Sequence, residues 1–151
     1  MADLEVLTEK TKSIQNYLKR IHDNVKGDLN RIDNFDVQDI VTLNLQRAVQ
    51  LVIDIAFHMV SKDHMGIPQS LEGLFIILEK YGVLEHELSV KMQKMIGFRN
   101  IAVYDYQAIN PAILKSIVAS NLKDIEDFYT AMLRDCPEIT CTSRLRESSR
   151  G

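Results

Sequence analysis

At 151 residues, with 46% hydrophobic and 26% charged side chains, the chain suits one globular domain that buries a core without metals or disulfides. A net charge of −3 argues against the clustered Lys and Arg of a high-affinity, non-specific DNA binder, but not against an enzyme that touches RNA briefly. Two cysteines, Cys136 and Cys141, and an acidic start without an apolar leader segment point to a reducing cytosol.

Helix signals dominate, and no sustained alternation of apolar and polar positions suggests a strand. The first helix is expected from about Asp3 to Lys26, where Leu4, Leu7, Ile14, Leu18, Ile21 and Val25 form one stripe close to a heptad. Gly27 and the polar stretch Asp28 to Asn34 interrupt it. The second runs from about Val37 to Lys62 with Asp36 as its cap, and is apolar around enough of its circumference to be the most buried helix. Its polar residues, among them Asn44, Asp54 and His58, make it unsuited to a bilayer. A break at Met65 to Ser70 follows. A short third helix spans about Leu71 to Tyr81, capped by Ser70 and closed by Gly82. The fourth spans about Glu85 to Val103. The fifth starts at Asn110-Pro111, a cap followed by proline in the first turn, and continues to about Asp135. The fold expected is therefore all-α, an up-and-down bundle of four to five helices over residues 1–135. Residues 136–151 form a polar tail expected to be disordered, whose last part, Ser143 to Gly151, also fits a cloning remnant.

Several chemistries have no basis in the sequence. It lacks a phosphate-cradling glycine loop, a Cys-x-x-Cys pair and a His-Glu-x-x-His helix, and its four histidines show no metal-ligand spacing. Neither a metal nor a cofactor is expected. The anomaly is the end of the fourth helix. Leu88, Met92, Met95, Arg99 and Ala102 share a face, and a cation on an apolar face needs a partner or a purpose. Asn100, Tyr104, Asp105 and Tyr106 gather around it. A structural ion pair of Arg99 with Asp54, with both tyrosines packing their rings, explains the pattern as well as a catalytic cluster does.

Phe98-Arg99-Asn100-Ile101-Ala102-Val103, followed by Asp105-Tyr106, resembles the signature of HepT proteins, a branch of the HEPN superfamily. That signature is Arg, four residues, His, one residue, Tyr. Leu43 to Ala48 and Val52 to His58 resemble the family's second helix, Gly66 to Ser70 the loop after it, and Lys94-Met95 with Gly97 the approach to the motif. The resemblance spans about Leu4 to Leu133. It implies a HEPN-like helical homodimer with a shared cleft and a metal-independent endoribonuclease toxin acting on RNA. It also implies a minimal nucleotidyltransferase antitoxin of the MntA type, which transfers AMP to the motif tyrosine. RNA cleavage without metal needs a base for the 2′-OH, an acid for the leaving oxygen and a cation for the phosphorane; arginine and histidine suit these tasks.

Here the histidine position holds Tyr104. A phenol, with a reference pKa of about 10, is a poor base at neutral pH, so a weak or inactive nuclease is expected. The site residues implied are Arg99, Asn100 and Tyr104 for catalysis, with Tyr106, ahead of Tyr104, as AMP acceptor. Asp54, His58 and Asn44 are supporting residues. The first of these would orient Arg99 and the second would line the cleft or stand in for the missing histidine. Asp54 and His58, four apart, are expected to be neighbours, and a hydrogen-bonded core network explains these three residues equally. The rival readings are a non-catalytic HEPN module that dimerises and binds a nucleotidyltransferase, and a nucleotide-binding helper subunit.

Overall fold

A computed structural model describes residues 2–105 and 109–136. Among them are six α-helices, one short 3-10 helix and no strand. The all-α expectation holds; the helix count of four to five is corrected to six. The helices are α1 (Ala2–Val25), α2 (Phe35–Lys62), α3 (Leu71–Lys80), α4 (His86–Tyr104), α5 (Pro111–Ser120) and α6 (Leu122–Arg134), with the 3-10 helix Leu29–Asp33 between α1 and α2.

The extra helix comes from a break in the expected fifth one at Asn121. The Asn121 N–H still closes α5 on Ile117 O, but its carbonyl accepts from Asp124 N at 3.1 Å, a tightened turn, and its amide nitrogen donates to Asp124 Oδ2 at 2.9 Å. Asparagine competes with the helix for such local bonds, and here it divides one helix into two. The polar stretch before α2, read from the sequence only as an interruption, has structure of its own. It forms the 3-10 turn, whose Ile32 is fully buried. The cap of α2 moves for the same reason: Asn34, not Asp36, accepts from Asp36 N and Val37 N through its side chain. Ser70 and Asn110 cap α3 and α5 as expected, and Gly82 takes φ +77 just after α3.

Helix α2 is the centre, packing on α1, α3, α4 and α6. It is long and apolar enough to cross a membrane, but more than half of that window is buried inside the protein, as befits a core helix. Three pairs set α1 antiparallel to it: Asp3 meets His58, Lys10 meets Asp54, and the Tyr17 ring lies under Arg47. The aromatic centre of the core is Phe75 of α3 against Phe128 of α6, edge to face at 5.7 Å. Met59, Met92, Met95 and Met132 fill the space around it. Cys136 is buried, while Cys141 and the rest of the tail expected to be disordered lie outside the described residues.

Candidate functional site

Helix α4 buries Met92, Met95, Ile96, Phe98 and Ala102, which anchors its last turns against the core. Arg99 belongs to that stripe and is half-buried. No carboxylate pairs with it among the described residues. Its Nη2 donates to Gln50 Oε1 at 2.7 Å, and its Nη1 to Asn100 Oδ1 at 3.1 Å. The buried Nε makes no hydrogen bond among the described residues. The cation is therefore held by two neutral amide oxygens.

Asp54 stands one link away. Gln50 Nε2 donates to Asp54 Oδ1 at 3.1 Å, and Lys10 Nζ lies 3.8 Å from Asp54 Oδ2. A direct Arg99–Asp54 ion pair is thus corrected to a chain through Gln50. Sequence reasoning missed both Gln50 and Lys10. The one available signal was the four-residue spacing of Gln50 and Asp54, which places them on one helix face.

The other supporting residues separate from this cluster. His58 Nε2 lies 2.9 Å from Asp3 Oδ1, but the nitrogen is buried and the alignment falls short of a hydrogen bond, so the contact is an ion pair only when the imidazole is protonated. His58 and Asp54 turn to different partners. Eight residues beyond Gln50, His58 is roughly 12 Å along the helix axis. Asn44 is buried and bonds back to Ile40 O at 2.7 Å, while its Oδ1 has no partner. That is a core position within α2, apart from the Arg99 clamp.

Tyr104 is the last residue of α4 and is 80% exposed. Asp105 leaves the helix at φ −149, so α4 ends at Tyr104. Tyr106 itself lies outside the described residues. Beside these residues runs the outward stripe of α2, Ile40, Leu43, Arg47, Gln50, Asp54 and Phe57, at alternating three- and four-residue steps. Ile40, Leu43 and Phe57 on that stripe, and Ile101 and Val103 on α4, are exposed apolar side chains.

A groove of about 540 Å³ lies elsewhere, between the first turns of α4 and the length of α6, lined by Glu85, Glu87, Lys91, Asp124, Asp127 and Asp135 among others. It shares no residue with the Arg99 cluster, and its carboxylates would repel a phosphate. Lys91 bridges it, 3.5 Å from Asp124 and 3.4 Å from Glu87, and the attraction of Asp124 foremost raises the Lys91 pKa. No group of His, Cys, Asp and Glu able to hold a metal occurs among the described residues.

Residues 14–132 match the family model described as ribonuclease HepT-like. An mRNA nuclease HepT of Shewanella oneidensis is 39% identical over 125 residues, 82% of this chain and 93% of that protein. A tRNA nuclease HepT of Aphanizomenon flos-aquae is 35% identical over 80 residues, 53% of this chain and 54% of that protein. Among solved structures, a toxin–antitoxin with AMP-PNP has a TM-score of 0.82 at 34% identity, covering 87% of this chain and 99% of that one. A tri-AMPylated Shewanella oneidensis HEPN toxin in complex with MNT antitoxin gives 0.81 at 37% identity, covering 86% and 98%.

Proposed function

Because the chain belongs to the ribonuclease HepT-like family, we propose that it is the toxin half of a toxin–antitoxin pair. Its inherited reaction is metal-independent cleavage of RNA in the cytoplasm. Its partner is a minimal nucleotidyltransferase of the MntA type, which silences it by transferring AMP to a tyrosine. The observation that carries this reading is Arg99: a half-buried guanidinium, held by neutral amides beside the exposed helix end that bears Tyr104. A cation that no carboxylate among the described residues neutralises is suited to hold a phosphate.

In the reaction the 2′ oxygen bonds the adjacent phosphorus, the bond to the 5′ oxygen breaks, and one proton passes from the first oxygen to the second. Arg99 stabilises the added charge on the phosphorane, and Asn100 keeps Arg99 in place while offering its amide to the RNA. Tyr104 stands at the proton carrier's position, where a phenol serves poorly at neutral pH, so this copy is a weak nuclease. For silencing, a tyrosine oxygen bonds the α-phosphorus of ATP and pyrophosphate leaves. Tyr106 aligns with the family's acceptor and is the first choice; Tyr104 is exposed and is the second. AMP groups beside Arg99 would occupy its donors and repel RNA.

The active form is a homodimer. The outward stripe of α2 repeats at coiled-coil spacing, with apolar residues at both ends and the Gln50–Asp54 link in the middle. A second copy on that stripe brings two Arg99 clusters to one cleft. Tyr104 also favours a second reading, a non-catalytic module that keeps the dimer and the nucleotidyltransferase partner without cleavage.

The test is co-expression with a minimal nucleotidyltransferase of the MntA type, followed by co-purification and peptide mass spectrometry. The expected result is a stable complex with AMP on Tyr106. Absence of both complex and modification would refute the toxin–antitoxin reading. Growth arrest in cells lacking the partner separates a nuclease from the non-catalytic module.

A further inference from the structure

We infer that Gln50 is the positioning residue of the site: it fixes the Arg99 guanidinium through a neutral acceptor and so keeps the full positive charge available to an RNA phosphate. This rests on the toxin reading for its ligand, though not for its geometry.

Three observations carry it. Gln50 reaches Arg99 across 49 residues of sequence, from α2 to α4, with a short bond of 2.7 Å from Nη2 to Oε1. The direction of the Gln50 amide is set by its other end. Asp54, as a carboxylate, only accepts, so the amide nitrogen faces Asp54 and the oxygen must face Arg99. Lys10 Nζ lies 3.8 Å from the second Asp54 oxygen, a loose ion pair that offers the carboxylate a cation other than the arginine. Finally, the acceptor is uncharged. A carboxylate at position 50 would bond Arg99 at least as strongly, but it would cancel the charge and compete with phosphate for the same donors. Gln50 and Asn100 take one N–H from each Nη, leaving one on each for a ligand.

A merely structural role and a positioning role predict opposite effects of Gln50→Glu. If Gln50 only ties α2 to α4, the substitution keeps an acceptor on Arg99 and leaves binding alone. If Gln50 preserves charge, the substitution keeps an acceptor on Arg99, gives up the amide donor to Asp54, and loses the ligand.

The full chain, Gln50→Glu and Gln50→Leu are compared by two measurements. The first is nitrogen NMR of the Arg99 guanidinium, which needs no RNA. The second is fluorescence anisotropy with a short single-stranded RNA as salt is varied. In the parent, slow rotation should give separate Nη signals. These should persist in Gln50→Glu and collapse in Gln50→Leu. Gln50→Glu should bind RNA about tenfold or more weakly, and its slope of log affinity against log salt should be smaller by about 0.7, one phosphate contact on a single strand. Unchanged Arg99 signals in Gln50→Leu overturn the inference. So does a Gln50→Glu protein that binds RNA with the parent's affinity and slope. If the parent itself binds no RNA, the nuclease reading fails, and the NMR comparison alone decides whether Gln50 holds Arg99.

Discussion

On the proposed reaction, replacing Tyr104 by histidine should raise RNA cleavage without changing the fold. Tyr104 is 80% exposed at the last position of α4, and no hydrogen bond or ion pair of its side chain is present among the described residues. A substitution at such a place changes stability by about 0.5 kcal/mol or less, a shift of about 2 °C in Tm at this chain length. The rate is another matter. A positioned general acid–base contributes about 10²–10⁴-fold, which is about 2.7–5.4 kcal/mol of barrier at 1.36 kcal/mol per decade. The assay is single-turnover cleavage of a labelled RNA with a metal chelator present, at matched protein concentration. The Tyr104→His rate should rise by that factor and acquire an inflection near neutral pH, where imidazole titrates and a phenol does not. Adding Arg99→Ala should lower the Tyr104→His rate by about 10²–10³-fold, the loss expected for a donor that stabilises the transition-state charge. A parent that cleaves as fast as Tyr104→His would refute the reasoning, and so would a fast variant whose rate is flat across neutral pH.

Four further outcomes follow from the packing, the caps and the charges. Phe128→Ala removes a fully buried ring stacked edge to face on Phe75, and should cost about 3–5 kcal/mol, measured by urea unfolding. Asn34→Ala should cost about 0.5–2 kcal/mol through the lost cap of α2, and Asp36→Ala less than about 1 kcal/mol, because Asp36 contributes only its charge to the first turn. Lys91→Met should destabilise at neutral pH by leaving the buried Asp124 carboxylate without its cation, held by the neutral Asn121 amide. The folded pKa of Lys91 is raised above 10.5, chiefly by Asp124, so its contribution is complete below 10.5 and lost as pH rises through the folded value. The gap between parent and Lys91→Met should accordingly close in alkaline titrations. Leu43→Glu and Phe57→Glu place charge on the exposed stripe of α2, and should yield a folded monomer by sedimentation, against the dimer proposed for the parent; a parent that sediments as a monomer would refute the dimer.

Local patterns were legible in the sequence, and contacts between distant segments were not. The stripe of α1, the caps Ser70 and Asn110 and the core character of α2 each depend on residues within a few positions of one another, where spacing decides the outcome. Asn121 was missed because its choice between continuing a helix and bonding to Asp124 is a small local balance that packing tips. At the site, Arg99 announced itself as a cation on an apolar face, but nothing in one dimension said whether Gln50 or Asp54, on the same face of α2, would meet it. The two outcomes differ by one helical turn, and they differ in charge. That difference, rather than the presence of Arg99, decides whether the guanidinium is a structural ion pair or an anion site.

The same geometry explains how the chemistry can be lost while the rest survives. Phe75, Phe128, Ile96 and Met92 hold the fold and are fully buried, whereas Tyr104 is exposed and Arg99, Gln50 and Asp54 are only partly buried. Hydrophobic burial scales with the area removed from water, so an exposed side chain carries little of the stability. A change at position 104, the proton carrier's place in the proposed reaction, therefore comes at almost no structural cost. It leaves Arg99, its Gln50 and Asn100 partners and the α2 stripe in place. On that account, association with the nucleotidyltransferase should be insensitive to residue 104, while cleavage depends on it. Equal co-purification of the parent and Tyr104→His with the partner, beside unequal cleavage of RNA, is the expected pattern. If Tyr104→His instead gained or lost the partner, position 104 would belong to the docking surface, and the separation of scaffold from chemistry argued from its exposure would be wrong.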